Sequence, residues 1–324
     1  MKFTIGFDKR DKDKIFSYFE EIMKENRWSE GKFTELFEEK WAKWNNAYAV
    51  AFSSWAGASL AALEYYNLRK KVILCPSNTF MATPLVNMHL ECNVEFVDCN
   101  KFDLCVNFDD LKEKIKKYRP SAVWLVHIGG HIAFQVNEIA SYCKDKGIIL
   151  LEDCAHSHGA SWNGRRPGIF GDAGVYSFYA TKTITTGEGG MLVTKNKDLA
   201  DFARKFRNYG KFEYNVKGLN FRMNEFTAAI GCAQIDSLDE ITEWKNSYVK
   251  KHLDSKFKKR VVLPEGMVSG YYKYIVFEPI ENSTGKVYDA PCHKILKKAY
   301  ELPDTDWVAK NHWCVPLYYK GDLI

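Results

Sequence analysis

Lys182 is the residue of this 324-residue chain whose setting most suggests covalent chemistry. It lies in Tyr176-Ser177-Phe178-Tyr179-Ala180-Thr181-Lys182-Thr183-Ile184-Thr185-Thr186-Gly187-Glu188-Gly189-Gly190, between an apolar run and a glycine-rich return into the next one, GMLVT. Enclosure of that kind lowers a lysine's pKa and makes the neutral amine available as a nucleophile toward aldehydes. One strand-and-helix unit upstream, Glu152-Asp153-Cys154-Ala155-His156 follows the apolar GIILL. A carboxylate there is costly to keep ionised unless a cation or hydrogen-bond donors meet it, and a helix cap or a buried salt bridge would do so as well as a ligand. The third candidate is Ser53-Ser54-Trp55-Ala56-Gly57-Ala58-Ser59, leading into the helical LAALEYY. Its hydroxyls can cap a helix and the N–H groups of the first turn can hold an anion, although an ordinary capped helix has the same sequence.

An amine, a carboxylate and an anion-binding helix start are the three partners pyridoxal phosphate needs, for its aldehyde, its ring nitrogen and its phosphate. Metal chemistry is the weaker reading. His156 with His158, or His127 with His131, supplies a pair of ligands, but no third and fourth follow at zinc-like spacing, and no metal is expected.

These residues need a frame that brings three distant turns to one edge. Short β-branched runs begin at Lys71 (KVILC), Val94 (VEFVD), Ala122 (AVWLVH), Gly147 (GIILLED), Ala173 (AGVYSFY) and Gly190 (GMLVT), with helical patterns between them. Their spacing, roughly 20 to 30 residues, is that of a strand, a crossover helix and two turns. The expected fold is α/β, a mostly parallel central sheet flanked by helices, in which ligands bind beyond the carboxyl ends of strands. Two amphipathic helices are expected around residues 15–26 and 34–44, split by the turn Trp28-Ser29-Glu30-Gly31. A long helix opens at Asn224 as its N-cap and breaks near Asp236. From about Leu238 the pattern changes to a long polar helix, a strand YYKYIVF near residue 271 and a final helix from about Cys292. The expected division is a large domain over residues 1–235, with an N-terminal helical segment over 1–45, and a small C-terminal α+β domain over 236–324.

Composition excludes other classes. Lys and Arg number 46 against 41 Asp and Glu, a net +5 that is scattered apart from short clusters such as Lys116-Lys117 and Lys258-Lys259-Arg260. Nucleic acid would require a concentrated basic face. A content of 46% hydrophobic and 15% aromatic residues excludes disorder. Nine cysteines with no Cys-x-x-Cys pair read as small buried hydrophobes in a reducing compartment. The opening MKFTIGFDKRDKDK is interrupted by charge before an apolar secretory region develops, and no window reaches the roughly 18 uncharged apolar residues of a membrane span. A soluble cytoplasmic protein without nucleic-acid or membrane partners is expected.

The chain resembles the DegT/DnrJ/EryC1/StrS sugar aminotransferases, pyridoxal phosphate enzymes of the aspartate aminotransferase-like fold (fold type I). The most specific block is EDCAHSHGASWNGRRPGIFGDAGVYSFYATKTITTGEGGMLVT, residues 152–194. PSNTFMAT at 76–83, VEFVDCN at 94–100, VHIGGHIA at 126–133 and the stretch beginning at Asn208 extend the likeness from about residue 25 to 245. The resemblance implies that Lys182 forms the Schiff base with the cofactor and then shuttles protons as general base and acid. It implies that Asp153 pairs with the ring nitrogen, that His156 lies near the ring and its oxygen, and that Phe80 stacks on the ring face. Ser177 would bind phosphate together with the backbone N–H groups near Trp55 and Ala56, and Asn220 would reach the phosphate of a neighbouring subunit in a homodimer with shared active sites.

The implied reaction is a ping-pong transamination. An amino acid, with L-glutamate the expected donor, leaves pyridoxamine phosphate, which aminates a keto or aldehyde carbon of a sugar. In the family that sugar is usually nucleotide-linked and serves surface polysaccharide, lipopolysaccharide or antibiotic assembly. A free sugar acid of the 3-deoxy-octulosonate type is an alternative acceptor, and a non-catalytic, cofactor-binding regulatory role is an alternative of another class. Dehydratase relatives carry histidine at the position of Lys182, so the lysine argues for transamination. Two departures stand out. Many relatives have Gly-Thr at Trp55-Ala56, so here only N–H donation carries over, and the indole either packs against the helix, covers the cofactor or narrows the entrance. Relatives also continue past the Cys-Val-Pro-Leu-Tyr segment into a further helix, making the small domain short for the family. Pocket shape is assigned to Trp28–Gly31, to the region Tyr209–Asn215 and to the C-terminal domain.

Overall fold

The computed structural model describes residues 8–319. Two helices, α1 (Lys9–Glu25) and α2 (Lys32–Asn45), precede β1 (Tyr48–Phe52) and α3 (Trp55–Tyr65). The chain then alternates through β2 (Val72–Pro76), α4 (Ala82–His89), β3 (Asn93–Val97), α5 (Phe108–Tyr118), β4 (Ala122–Val126), α6 (Val136–Asp145) and β5 (Ile149–Asp153). The short β6 (Ser161–Trp162) leads to β7 (Ala173–Ser177), β8 (Gly190–Thr194), α7 (Lys197–Phe206) and α8 (Glu225–Asp236).

Seven strands form one sheet in the order β1-β8-β7-β5-β4-β2-β3. The pairs from β7 through β3 are parallel, and β8 is antiparallel to both β7 and β1. Because two reversals cancel, β1 points the same way as the parallel strands. Helices cover both faces, which is why strands such as AVWLV and AGVYS are buried along their whole length and lack polar alternation. Adjacent residues pack on opposite sides: Leu151 joins the core beneath α3 and α7, while Leu150 joins the one around α5 and α6.

Helices α1, α2 and α8 form a third packed group around Phe33, Phe37 and Trp41. Glu225, the first residue of α8, caps α2: its carboxylate accepts the N–H groups of Gly31 (3.0 Å), Phe33 (2.7 Å) and Thr34 (3.1 Å). The α8 N-cap is Asn224, whose side chain accepts from Thr227 N–H, and the helix ends at Asp236, as the sequence pattern predicts.

The C-terminal portion departs from expectation in two places. After α9 (Leu238–Tyr248) and a π-helical turn (Val249–Leu253) come β9 (Met267–Val268), which pairs with β6, and β10. The expected strand near residue 271 shrinks to β10 (Tyr274–Val276) because the residues before it bond elsewhere: Gly270 and Lys273 N–H donate to the carbonyls of Gly130 and Gly129, both at 2.8 Å. The expected helix from Cys292 is a single turn, α10 (Cys292–Ile295), after which Lys297 takes a left-handed φ of 52°. A separate helix, α11 (Pro303–Asn311), starts at a proline whose fixed φ suits a first turn, and β11 (Trp313–Val315) then pairs antiparallel with β10. No helix among the described residues is long and apolar enough to cross a membrane. All nine cysteines are buried and free.

Candidate active site

The ends of β1, β5 and β7 and the start of antiparallel β8 meet at one sheet edge, and this topology brings the three distant turns together. At Gly190 the backbones are so close that a Cβ would lie 2.4 Å from the Ser54 carbonyl and 2.7 Å from Trp55 N, so glycine is what lets α3 begin directly against β8. Ser54 caps α3, its hydroxyl accepting from Gly57 N–H at 3.2 Å. The N–H groups of Trp55 and Ala56, in the first turn, lie outside the helical ladder and are available to an anion.

Asp153 ends β5 and is buried. Its Oδ1 accepts the Trp55 indole N–H at 3.2 Å and Ala155 N–H at 3.0 Å, and its Oδ2 accepts the Thr83 hydroxyl at 3.0 Å. Burial pushes its pKa up, while Ala155 N–H, the Thr83 hydroxyl and the Lys182 charge pull it back. Its neighbour Glu152 serves the opposite face, where it accepts the N–H groups of Gly168, Phe170 and Gly171, each at 2.7 Å, and meets His127 Nε2 at 2.9 Å. Strand alternation thus sorts the acidic pair into one structural carboxylate and one that faces the candidate site.

Lys182 lies beyond β7 with its amine depressed to about 8, chiefly by burial and secondarily by the charge of Lys273, against the opposing pull of Asp153. Its Nζ sits 4.8 Å above the centre of the Tyr272 ring, and the neighbouring Thr181 hydroxyl meets Tyr272 OH at 3.1 Å. His156 is buried between two aromatic rings, Tyr272 at 4.2 Å and Tyr288 at 5.7 Å. Burial and the Lys182 charge hold its pKa well below 6.5, so the imidazole is neutral, and its Nδ1 has no partner among the described residues. Ser177, at the end of β7, is buried and accepts from Tyr179 N–H at 3.3 Å.

Two of the expected residues have exposed side chains. Phe80 is 65% exposed on the turn before α4. Asn220 is exposed, its Oδ1 accepting from Arg222 N–H at 3.3 Å and its backbone bridging Asn208. Four neighbours escaped the sequence reading: the Trp55 indole as a carboxylate donor, Thr83, Tyr272 and Tyr288. Thr83 lies within the PSNTFMAT block and could have been found there. Tyr288 sits in an irregular segment that no pattern marks, and Tyr272 lies in a run whose strand pattern gives no sign of a site.

The sequence profile of the DegT/DnrJ/EryC1/StrS aminotransferase family matches residues 9–264. GDP-perosamine synthase of Escherichia coli O157:H7 is 31% identical over 246 residues, covering 70% of this chain and 67% of that enzyme. The spore coat polysaccharide biosynthesis protein SpsC of Bacillus subtilis is 33% identical over 237 residues, covering 67% of this chain and 60% of SpsC. Among solved structures, a DegT DnrJ EryC1 StrS aminotransferase from Brucella abortus shares the fold with a TM-score of 0.88 at 22% identity, over 96% of this chain and 92% of its own. The chain belongs to the DegT/DnrJ/EryC1/StrS aminotransferase family and is an enzyme of the pyridoxal phosphate-dependent transaminase class. The site fits that cofactor: a depressed lysine amine, a buried carboxylate with donors on both oxygens, free N–H groups at a helix start and an imidazole nitrogen left without a partner.

Proposed function

We propose that this aminotransferase moves the amino group of L-glutamate to a keto or aldehyde carbon of a nucleotide-linked sugar, for polysaccharide, lipopolysaccharide or related amino-sugar biosynthesis. The observation that carries the reading is the Lys182 amine, depressed to about 8 by burial, within electrostatic reach of the buried Asp153 carboxylate, each group's charge favouring the other's. The nucleotide-linked acceptor is supported by the name of the Escherichia coli relative, a GDP-sugar synthase, and the polysaccharide role by that of SpsC. Lys273 adds positive charge beside Lys182, which suits a substrate bearing carboxylate or phosphate.

Pyridoxal phosphate, when bound, supplies a ring that takes up the electrons released at an amino acid's Cα. Lys182 would hold the cofactor's aldehyde carbon and, as a free amine, would take the proton from the substrate Cα and return it. Asp153 would keep a proton on the ring nitrogen. Ser177 and the N–H groups of Trp55 and Ala56 suit the phosphate, neutral His156 the ring and its oxygen, and Phe80 the open ring face. Exposed Asn220 would complete the phosphate site of a second copy in a homodimer. Residues 1–235 then act as the cofactor-bearing domain, and the 236–324 domain closes the pocket with Tyr272 and Tyr288.

The test is amine transfer itself. Loaded enzyme given isotope-labelled glutamate is expected to release 2-oxoglutarate and pass the label to one of a panel of nucleotide-linked keto-sugars, read by mass spectrometry. Labelling only of free sugar acids, or no keto acid from any amino donor, overturns the proposal.

A further inference from the structure

Asp153 has more hydrogen-bonding capacity than the protein uses, and the unused part is unevenly divided. A carboxylate offers about four acceptor sites, two on each oxygen. Oδ1 receives both the Trp55 indole N–H at 3.2 Å and Ala155 N–H at 3.0 Å, whereas Oδ2 receives only the Thr83 hydroxyl at 3.0 Å. The indole is firmly held. Trp55 is the first residue of α3 and is 7% exposed, and its ring lies 5.5 Å from that of Trp124, whose own N–H bonds Asn87 at 3.2 Å. The close backbone approach at Gly190 fixes where the helix, and so the indole, begins.

We propose that Trp55 is a positioning residue for the cofactor's ring nitrogen: its indole fills the second acceptor site of Asp153 Oδ1 and leaves Oδ2 to receive the ring N–H. Donation also favours the ionised carboxylate in a buried setting, which keeps the shared proton on the ring. The inference rests on Asp153 as the ring-nitrogen partner and deepens that reading, because it assigns the oxygen and names the side chain that selects it.

Two variants separate donor from bulk: Trp55→Phe keeps a ring and deletes the N–H, and Trp55→Gln keeps an N–H and deletes the ring. Both are compared with Asp153→Ala in the loaded enzyme, with cofactor affinity measured by equilibrium dialysis and ring-nitrogen protonation by the nitrogen chemical shift of isotope-labelled cofactor. Losing a hydrogen bond to a charged group predicts about tenfold or greater weakening of cofactor binding in Trp55→Phe, with the nitrogen signal moving toward its unprotonated value. Trp55→Gln is expected to keep the protonated signal even where packing suffers, so the test survives if Trp55→Phe does not fold. Wild-type affinity and signal in Trp55→Phe, or equal losses in both variants, overturn the inference while Asp153 stands, provided Asp153→Ala itself loses the protonated signal. An unchanged signal in Asp153→Ala removes the reading of Asp153 and the inference with it.

Discussion

Asp153 and Tyr272 both act on Lys182, from structures of opposite kind. Asp153 ends a five-residue strand bonded to strands on both sides, and its direction follows from alternation along β5. Tyr272 lies in a stretch that belongs to no strand and follows Tyr271 at a left-handed φ of 41°. That stretch is held by the carbonyls of Gly129 and Gly130, and by Lys245, whose amine donates to the Gly270 and Tyr271 carbonyls at 3.4 and 3.0 Å. At Gly130 a Cβ would fall 2.5 Å from Tyr272 N, so the two segments meet backbone to backbone. The comparison teaches that Asp153 stands on the sheet and Lys182 on the turn just beyond it, whereas the wall facing them hangs on a few contacts with a distant turn and with α9. Variants at the sheet edge should therefore change the chemical step, and variants in the wall should change substrate fit.

The largest effect is expected at Lys182. Lys182→Ala removes the proposed proton carrier, and turnover should fall by about a thousandfold or more in a coupled assay of keto-acid release. A fall of less than tenfold would break the assignment of chemistry to the sheet edge. Asp153→Ala comes next, with a loss of about a hundredfold, because a preorganised charge aimed at developing charge is removed. On the other side of the comparison, Tyr272→Ala should cost only a few-fold to about tenfold, seen as a higher KM with kcat little changed, since a stacked aromatic pair is worth about 1 kcal/mol. A matching collapse of kcat would move Tyr272 into the chemistry.

Smaller effects follow from pH. The neutral fraction of Lys182 rises through about 8, so the rate at which free protein captures cofactor should rise with pH and level off above that value; a midpoint near the ordinary 10.5 would contradict the enclosed amine. Lys245, buried on carbonyls with no carboxylate in contact among the described residues, is likewise depressed to about 8. Both amines have folded pKa values below the unfolded 10.5, so between those values the unfolded chain binds more protons and the free protein should gain stability as pH rises from about 8 toward 10.5. Lys245→Met should reduce that gain in thermal unfolding to the part Lys182 contributes, while leaving the Lys182 capture profile in place.

Much of the frame was legible in advance. The six apolar runs became β2, β3, β4, β5, β7 and β8, and the Asn224 cap and the break at Asp236 fall where the pattern placed them. Boundaries slipped at α1, which starts at Lys9, because charged residues can extend a capped helix whose apolar stripe begins later. After Met267 legibility failed. The run YYKYIVF satisfies strand propensity, yet its first residues are claimed by the Gly129–Gly130 turn, a partner more than a hundred positions away in the chain.

Residue type and local spacing determined by themselves that an amine, a carboxylate and a helix start would lie at strand ends, because period and turn chemistry act over a few residues. Only the tertiary structure decided that Glu152 is spent on backbone N–H groups, that the Trp55 indole reaches the Asp153 carboxylate, and that Tyr272 and Tyr288 enclose His156. Those choices depend on where side chains from separate segments meet once the sheet twists and the helices pack, and that distance information is absent from any local window of the chain.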